Sequence, residues 1–330
     1  MAAGQTGAVT DTAAFDPGLI LHSPVARAFT VIGDRWAGLI IRDVFLGVRR
    51  FEQLRARTGA ARGTLASRLK ALVEHGVLRR VAYQQSPPRY EYVLTPMGRD
   101  LYPFVLAVWD WETRWSEEHE IPSELVHTGC GYKMRPMIRC RSCHDPVSMR
   151  EVRFEVREPD RTPGEIPARF QRRSRSRKGD DQAVDQRFFH VLDVLGDRWT
   201  GLVLAATFFG LGRYDEIARA LGIATNILAH RLKLLVGAGV LARVPYQQRP
   251  RRHRYRLTDK GADLYLVTLE MHYWAERWLL EKSERPLVLK HRNCKRKLRI
   301  ESVCSECHGP LNLHNVTFDR SITSGFTDAT

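Results

Sequence analysis

The sequence predicts a mainly helical α+β protein with a small β component, built as one module repeated twice in tandem. Three observations predict this: a self-similarity at fixed offset, a run of helical apolar periods followed by two short strands in each copy, and a Cys/His pattern closing each copy. Ile32-Gly-Asp-Arg-Trp-Ala-Gly-Leu39 returns 163 residues later as Leu195-Gly-Asp-Arg-Trp-Thr-Gly-Leu202. The same offset carries Arg68-Leu-Lys70 onto Arg231-Leu-Lys233, Tyr83-Gln-Gln85 onto Tyr246-Gln-Gln248, and Trp111 and Trp115 onto Trp274 and Trp278. Beyond that point the offset becomes 164. A shared register of this length is the mark of a duplicated structural unit.

Within the first copy, apolar residues recur at helical spacing over Pro24 to Ile32, with Val25, Phe29 and Ile32 on one side. Arg35 to Phe45 repeats the pattern with Trp36, Leu39, Ile40 and Val44, and Gly47 ends it. Phe51 to Arg57 is a short helix, Thr58-Gly59-Ala60 a tight turn, and Ala61 to Glu74 a longer helix that buries Leu65, Leu69, Leu72 and Val73. Two helices joined by a short glycine-containing turn are a helix-turn-helix. Val77 to Gln84 and Arg89 to Leu94 read as strands around a Ser86-Pro87-Pro88 tip, so the unit is a winged helix-turn-helix. Thr95-Pro96 opens a final helix, threonine as N-cap and proline at the first turn. Its aromatic load (Phe104, Trp109, Trp111, Trp115) is too apolar for a lone surface helix. Part of it packs on another module or fills the domain core.

Composition marks the boundaries. Residues 19–120 and 183–283 carry the two modules, 121–157 and 284–320 a small Cys/His ribbon after each, and 158–182 a basic linker; 1–18 form a disordered N-terminus and 321–330 a tail. Arg172, Arg173, Arg175, Arg177 and Lys178 of the linker either touch phosphate or form a solvated tether. The chain carries 52 Lys and Arg against 37 Asp and Glu, a net charge of +15 that favours a polyanionic partner. Met1 to Pro17 lacks the basic start and apolar run of a secretory signal, and no stretch is long and apolar enough for a membrane span. A cytoplasmic, nucleoid-associated protein with no membrane partner is expected. In that compartment six cysteines point to metal or redox chemistry.

Pro24-Val-Ala-Arg27, Gly33-Asp-Arg-Trp36, Arg50-Phe-Glu-Gln-Leu54, Leu65-Ala-Ser-Arg-Leu69 and Glu91-Tyr-Val-Leu-Thr-Pro96 resemble the HxlR family of bacterial winged-helix transcriptional regulators. Gly196-Asp-Arg-Trp199, Arg213-Tyr-Asp-Glu-Ile217, Leu228-Ala-His-Arg-Leu232 and Tyr255-Arg-Leu-Thr258 carry the resemblance into the second copy. It implies transcriptional regulation on DNA and no enzymatic activity. Family members are usually single modules pairing as homodimers through their terminal helices, so this chain is expected to act as a homodimer or an intramolecular pseudo-dimer. Many members carry a cysteine before the Pro-Val-Ala-Arg stretch, and some sense oxidants or electrophiles with it. Ser23 and Gln186 stand there instead, which argues against thiol sensing at that position.

A recognition helix lays its N-terminal part against base edges in the major groove. Arg62, Thr64, Ser67, Arg68 and Lys70 in the first copy, and Thr225, Asn226, His230, Arg231 and Lys233 in the second, are the outward candidates. Arg62, Ser67, Thr225 and Asn226 are the expected base readers, since arginine suits guanine and asparagine adenine. Arg68 and Arg231 precede buried leucines and hold either phosphate or an internal carboxylate. Arg89 lies beside the first wing tip, whereas Arg249, Arg251, Arg252 and Arg254 surround the second, suited to phosphate. The copies therefore read unequal half-sites of double-stranded DNA.

His127-x2-Cys130-x9-Cys140-x2-Cys143 ends the first copy and His291-x2-Cys294-x9-Cys304-x2-Cys307 the second. Each set is read as one closed tetrahedral site for structural zinc, two ions per chain. His144 and His308 stand directly after the knuckles and compete with His127 and His291 as fourth ligand. Cys140-Arg-Ser-Cys143-His144 also has the form of a haem attachment motif, but the additional cysteine at fixed spacing belongs to a metal cage. The alternative function is a metal- or thiol-dependent redox sensor working through these ribbons.

Overall fold

A computed structural model describes residues 18–115, 124–157, 189–249 and 251–318. The N-terminus, the basic linker with its arginines, Gln186, Pro250 and the final tail lie outside the described residues. In the first copy α1 (Gly18–Leu21), α2 (Pro24–Ile32), α3 (Arg35–Phe45), α4 (Phe51–Thr58) and α5 (Arg62–Glu74) precede the hairpin β1 (Leu78–Gln84) and β2 (Arg89–Leu94). Then come α6 (Pro96–Arg99), α7 (Tyr102–Trp115), β3 (Leu125–His127), β4 (Lys133–Met134), β5 (Pro136–Cys140) and β6 (Val152–Val156). The second copy runs α8 (Phe189–Leu195), α9 (Arg198–Phe208), α10 (Tyr214–Leu221), α11 (Thr225–Gly237), β7 (Leu241–Gln247), β8 (Arg252–Leu257), α12 (Asp259–Trp278), β9 (Leu287–His291), β10 (Ile300–Cys304) and β11 (Val316–Phe318).

Local chemistry sets the boundaries. Ser23 caps α2 by accepting from the Ala26 amide at 3.1 Å, with Pro24 at the first turn. Gly59 and Gly222 end α4 and α10 at φ of +66° and +57°, a conformation that favours glycine and turns the chain into the recognition helix. The apolar stripe of that helix (Leu65, Leu69, Leu72; Leu228, Leu232, Leu235) is buried in the same core as Leu54 and Ile217. The single terminal helix expected after Thr95 is broken into α6 and α7. Pro103, which lacks an amide and clashes with the preceding turn, stands near the start of α7. The second copy has Leu266 at that position, and α12 is continuous over 20 residues.

The copies pack on each other about a pseudo-two-fold axis. Trp111 Nε1 donates to the Lys260 carbonyl at 3.0 Å, and Trp274 Nε1 to the Met97 carbonyl at 2.9 Å. Trp115 Nε1 donates to Asp263 at 3.0 Å, and Trp278 Nε1 to Asp100 at 2.9 Å. Arg114 and Arg277 pair with the same two aspartates at 2.9 and 2.8 Å. Each of these contacts returns at the repeat offset with partners exchanged, the rule for an isologous interface. A Cβ on Gly201 would stand 2.1 Å from Phe29, and one on Gly38 2.5 Å from Leu192, so this close approach requires glycine on both sides. The terminal-helix tryptophans thus serve the pairing of the copies.

Glu112 makes a contact without a counterpart in the second copy, where Ala275 stands at its position. Buried Glu112 accepts from the amides of His190 and Val191 at 3.2 and 3.0 Å, capping α8 from the other copy. Among the described residues no helix is long and apolar enough to cross a membrane.

Candidate nucleic-acid interface and metal centres

On α5 the side chains of Arg62, Ser67 and Lys70 are exposed, and on α11 those of Thr225, Asn226, His230 and Lys233. Thr64 is half-buried, so it presents less surface than its spacing suggested. Arg62 lies over the Phe51 ring at 5.3 Å and pairs with Glu52 at 3.0 Å. Lys70 pairs loosely with Glu74 one turn on. Asn226 folds its carbonyl onto the Ile227 amide at 2.9 Å while remaining exposed at the helix start.

Arg68 and Arg231 each meet a carboxylate of their own module. Arg68 Nε donates to Asp34 at 3.1 Å, and Arg231 Nε lies 3.0 Å from Asp197. Those aspartates are also the N-caps of α3 and α9: Asp34 accepts from the Trp36 and Ala37 amides, Asp197 from Thr200. Burial lifts the Asp34 carboxyl above its ordinary range despite Arg68 and the two amides. The Gly-Asp-Arg-Trp motif therefore bolts the recognition helix to the helix behind it. The signal was present in the sequence, an Asp and an Arg recurring in both copies at one offset.

The wings are β1–β2 and β7–β8. Arg89, Arg249, Arg251 and Arg252 are exposed, whereas Arg254 is half-buried where it bridges to Arg213 at the wing base. Sequence reasoning missed Arg50 and Arg213. Their guanidinium groups cover Tyr83 and Tyr246 at 4.7 and 4.8 Å, adding basic groups at equivalent places on both wings.

The tails do not fold as two separate ribbons. β5 pairs antiparallel with β10, β3 with β11 and β6 with β9, each pair joining the two copies. The Cys/His sets are exchanged accordingly. His127 and Cys130 stand with Cys304 and Cys307, while Cys140 and Cys143 stand with His291 and Cys294, all ligand atoms of a group within 4.8 Å. The within-copy sets expected from spacing are thus replaced by groups with two donors from each copy. Spacing along one segment places the arm and the knuckle; the cross-copy strand register decides which arm meets which knuckle.

Cys130 Sγ is 3.9 Å from Cys304 Sγ, and Cys140 Sγ 4.0 Å from Cys294 Sγ. His127 Nδ1 lies 3.4 and 3.2 Å from Cys130 and Cys307, and His291 Nδ1 3.2 and 3.6 Å from Cys143 and Cys294. A tetrahedron with Zn–S bonds of about 2.3 Å and a slightly shorter Zn–N bond sets sulfurs about 3.8 Å apart and nitrogen about 3.5 Å from sulfur. The donor sets fit that size. Main-chain amides of Ser142 and Glu306 donate to the sulfurs of Cys140 and Cys304 at 3.4 Å. Burial, with the neighbouring Cys140, pushes the Cys143 thiol up to about 11. His144 and His308 take positive φ values just past the knuckles and stand outside both groups.

The sequence of each module has counterparts among known proteins. The model of the HxlR-like helix-turn-helix family matches residues 31–120 and 194–283, together more than half of the chain. The chain belongs to the HxlR-like family. An HTH-type transcriptional regulator of Mycobacterium tuberculosis is 37% identical over 38% of this chain and 80% of its own length. The HTH-type regulator YtfH of Escherichia coli is 40% identical over 27% of this chain and 71% of its own length. The reduced form of the transcriptional regulator YodB from Bacillus subtilis is 33% identical over 28% of this chain and 90% of that one, with a TM-score of 0.26. Where some family members place a cysteine, this HxlR-like chain uses Ser23 as a buried helix cap, its hydroxyl donating to Ile20 at 2.8 Å.

Proposed function

We infer that this chain, a helix-turn-helix transcriptional regulator by family, reads double-stranded DNA as an internal pseudo-dimer, α5 and α11 in successive major-groove turns and the basic wings on the flanking phosphates. The observation that carries this is the reciprocal packing of the two copies, with each recognition helix held to its own module by an Arg–Asp bolt. The exposed helix residues differ, Arg62 and Ser67 against Thr225 and Asn226, so the half-sites differ in sequence. The two Cys/His groups hold structural zinc, for which three thiolates and an imidazole are a closed ligand set with no open position.

Genomic footprinting of the bound protein tests the reading. One imperfect palindrome per chain, with half-sites about one helical turn apart, is the expected outcome. Protection with no sequence preference would overturn it.

A further inference from the structure

The cross-copy donor sets reach beyond a pair of structural zinc sites. We propose that the two ions form a single clasp between the copies: each is held by the His-x2-Cys arm of one copy and the Cys-x2-Cys knuckle of the other, and filling one site prepares the other. The inference rests on the zinc reading above.

The geometry gives two reasons. The first is the ligand assignment itself, two donors per copy at each site. The second is the strand pair between the sites. β5 and β10 pair with Ile300 opposite Cys140 and Cys304 opposite Pro136, so one antiparallel ladder ends in Cys140 at one site and in Cys304 at the other. An ion at either site fixes that ladder and so positions a knuckle cysteine of the remaining site. The outer pairs have the same logic: β3 delivers His127 while pairing with β11, and β9 delivers His291 while pairing with β6. Ordering cost is met largely by the first ion, and the second binds to a site already arranged.

The clasp lies across the helices that pair the modules. Arg135, just before β5, reaches Asp110 of α7 at 2.8 Å. Ser302 of β10 donates to Glu270 of α12 at 3.0 Å, and Tyr273 of α12 donates to the Leu298 carbonyl at 2.7 Å. Metal occupancy is thereby linked to the contact that sets the relation of the two recognition helices.

Zinc counts in paired cysteine variants of the full chain decide the matter, measured by native mass spectrometry on folded protein. C130S/C304S removes one donor from each copy but damages a single clasp site, so it keeps one zinc. C130S/C140S removes two donors from one copy and damages both sites, so it keeps none. Self-contained ribbons give the reverse, and that result or equal retention overturns the proposal. Cobalt spectra give a second reading: with His127→Cys, the four-thiolate band disappears on adding Cys304→Ser and survives Cys140→Ser. Survival on adding Cys304→Ser also overturns it. Zinc titration of the unaltered apo chain passes almost directly from no ion to two; a dominant one-zinc species contradicts the coupling. An unaltered chain with no zinc at all refutes the zinc reading itself.

Discussion

Asp34 and Asp197 each serve two partners from one carboxylate, capping a helix and holding the arginine of the next recognition helix. Losing the carboxylate removes a cap and leaves a largely buried guanidinium unpaired. Asp34→Ala and Asp197→Ala are therefore each expected to lower unfolding stability by about 1–3 kcal/mol in denaturant titration. Arg251 is exposed on the second wing and is the contrasting case. Its replacement by alanine leaves that stability unchanged, weakens binding across DNA sequences alike, and flattens the salt dependence of affinity by about one phosphate contact. The difference between these arginines is burial and a carboxylate in reach, which residue type alone does not disclose.

The terminal helices show how one substitution changes an element. Pro103 breaks the first copy into α6 and α7, whereas Leu266 lets α12 run on and carry Glu270, His272 and Glu276 as buried side chains near the tail strands. Burial pushes Glu270 up to about 7, against the Ser302 hydroxyl. His272 and Glu276 pair on the same helix, Tyr265 and Tyr273 stand nearby, and Arg285 and Lys297 face Glu276 while Cys140 faces Tyr273. A carboxyl that keeps its proton more tightly when folded favours the fold fully below its ordinary value of 4.5, and that advantage is lost as pH rises through about 7. Glu270→Gln removes the ionising group. Its unfolding free energy should match that of the unaltered chain near pH 4 and exceed it at pH 8, by a margin on the order of 2 kcal/mol. Equal denaturant curves at pH 8 would show that Glu270 is not held in a costly environment.

At the scale of the molecule, pairing of the copies depends on two glycines. Phe29 occupies the space a Cβ on Gly201 would take, and Leu192 that of one on Gly38. Gly201→Val forces the copies apart and should red-shift tryptophan emission as Trp111 and Trp274, both buried at the contact, become wetter. Adding Phe29→Ala should restore part of the blue-shifted emission. An unshifted spectrum in the single variant would contradict the tight contact.

The helix-turn-helix with its wing, the Thr95 cap and the eight Cys/His residues were legible in the chain because each depends on spacings shorter than one module, and the duplication because one register returns at a fixed offset. Helical period places Leu65, Leu69 and Leu72 inward, Thr95 and Thr258 cap α6 and α12, and Cys-x2-Cys makes a knuckle wherever it folds. Two decisions lay beyond that range, the reciprocal tryptophan contacts between copies and the exchange of arms and knuckles at the Cys/His groups, while the pairing of Arg68 with Asp34 and of Arg231 with Asp197 stays within one module and is decided by how its helices pack. Two copies with the same motif offer two ways to complete each tetrahedron, and local spacing satisfies both. The choice is made by the antiparallel register of β5 with β10, strands so far apart along the chain that they pair only once the two modules have docked.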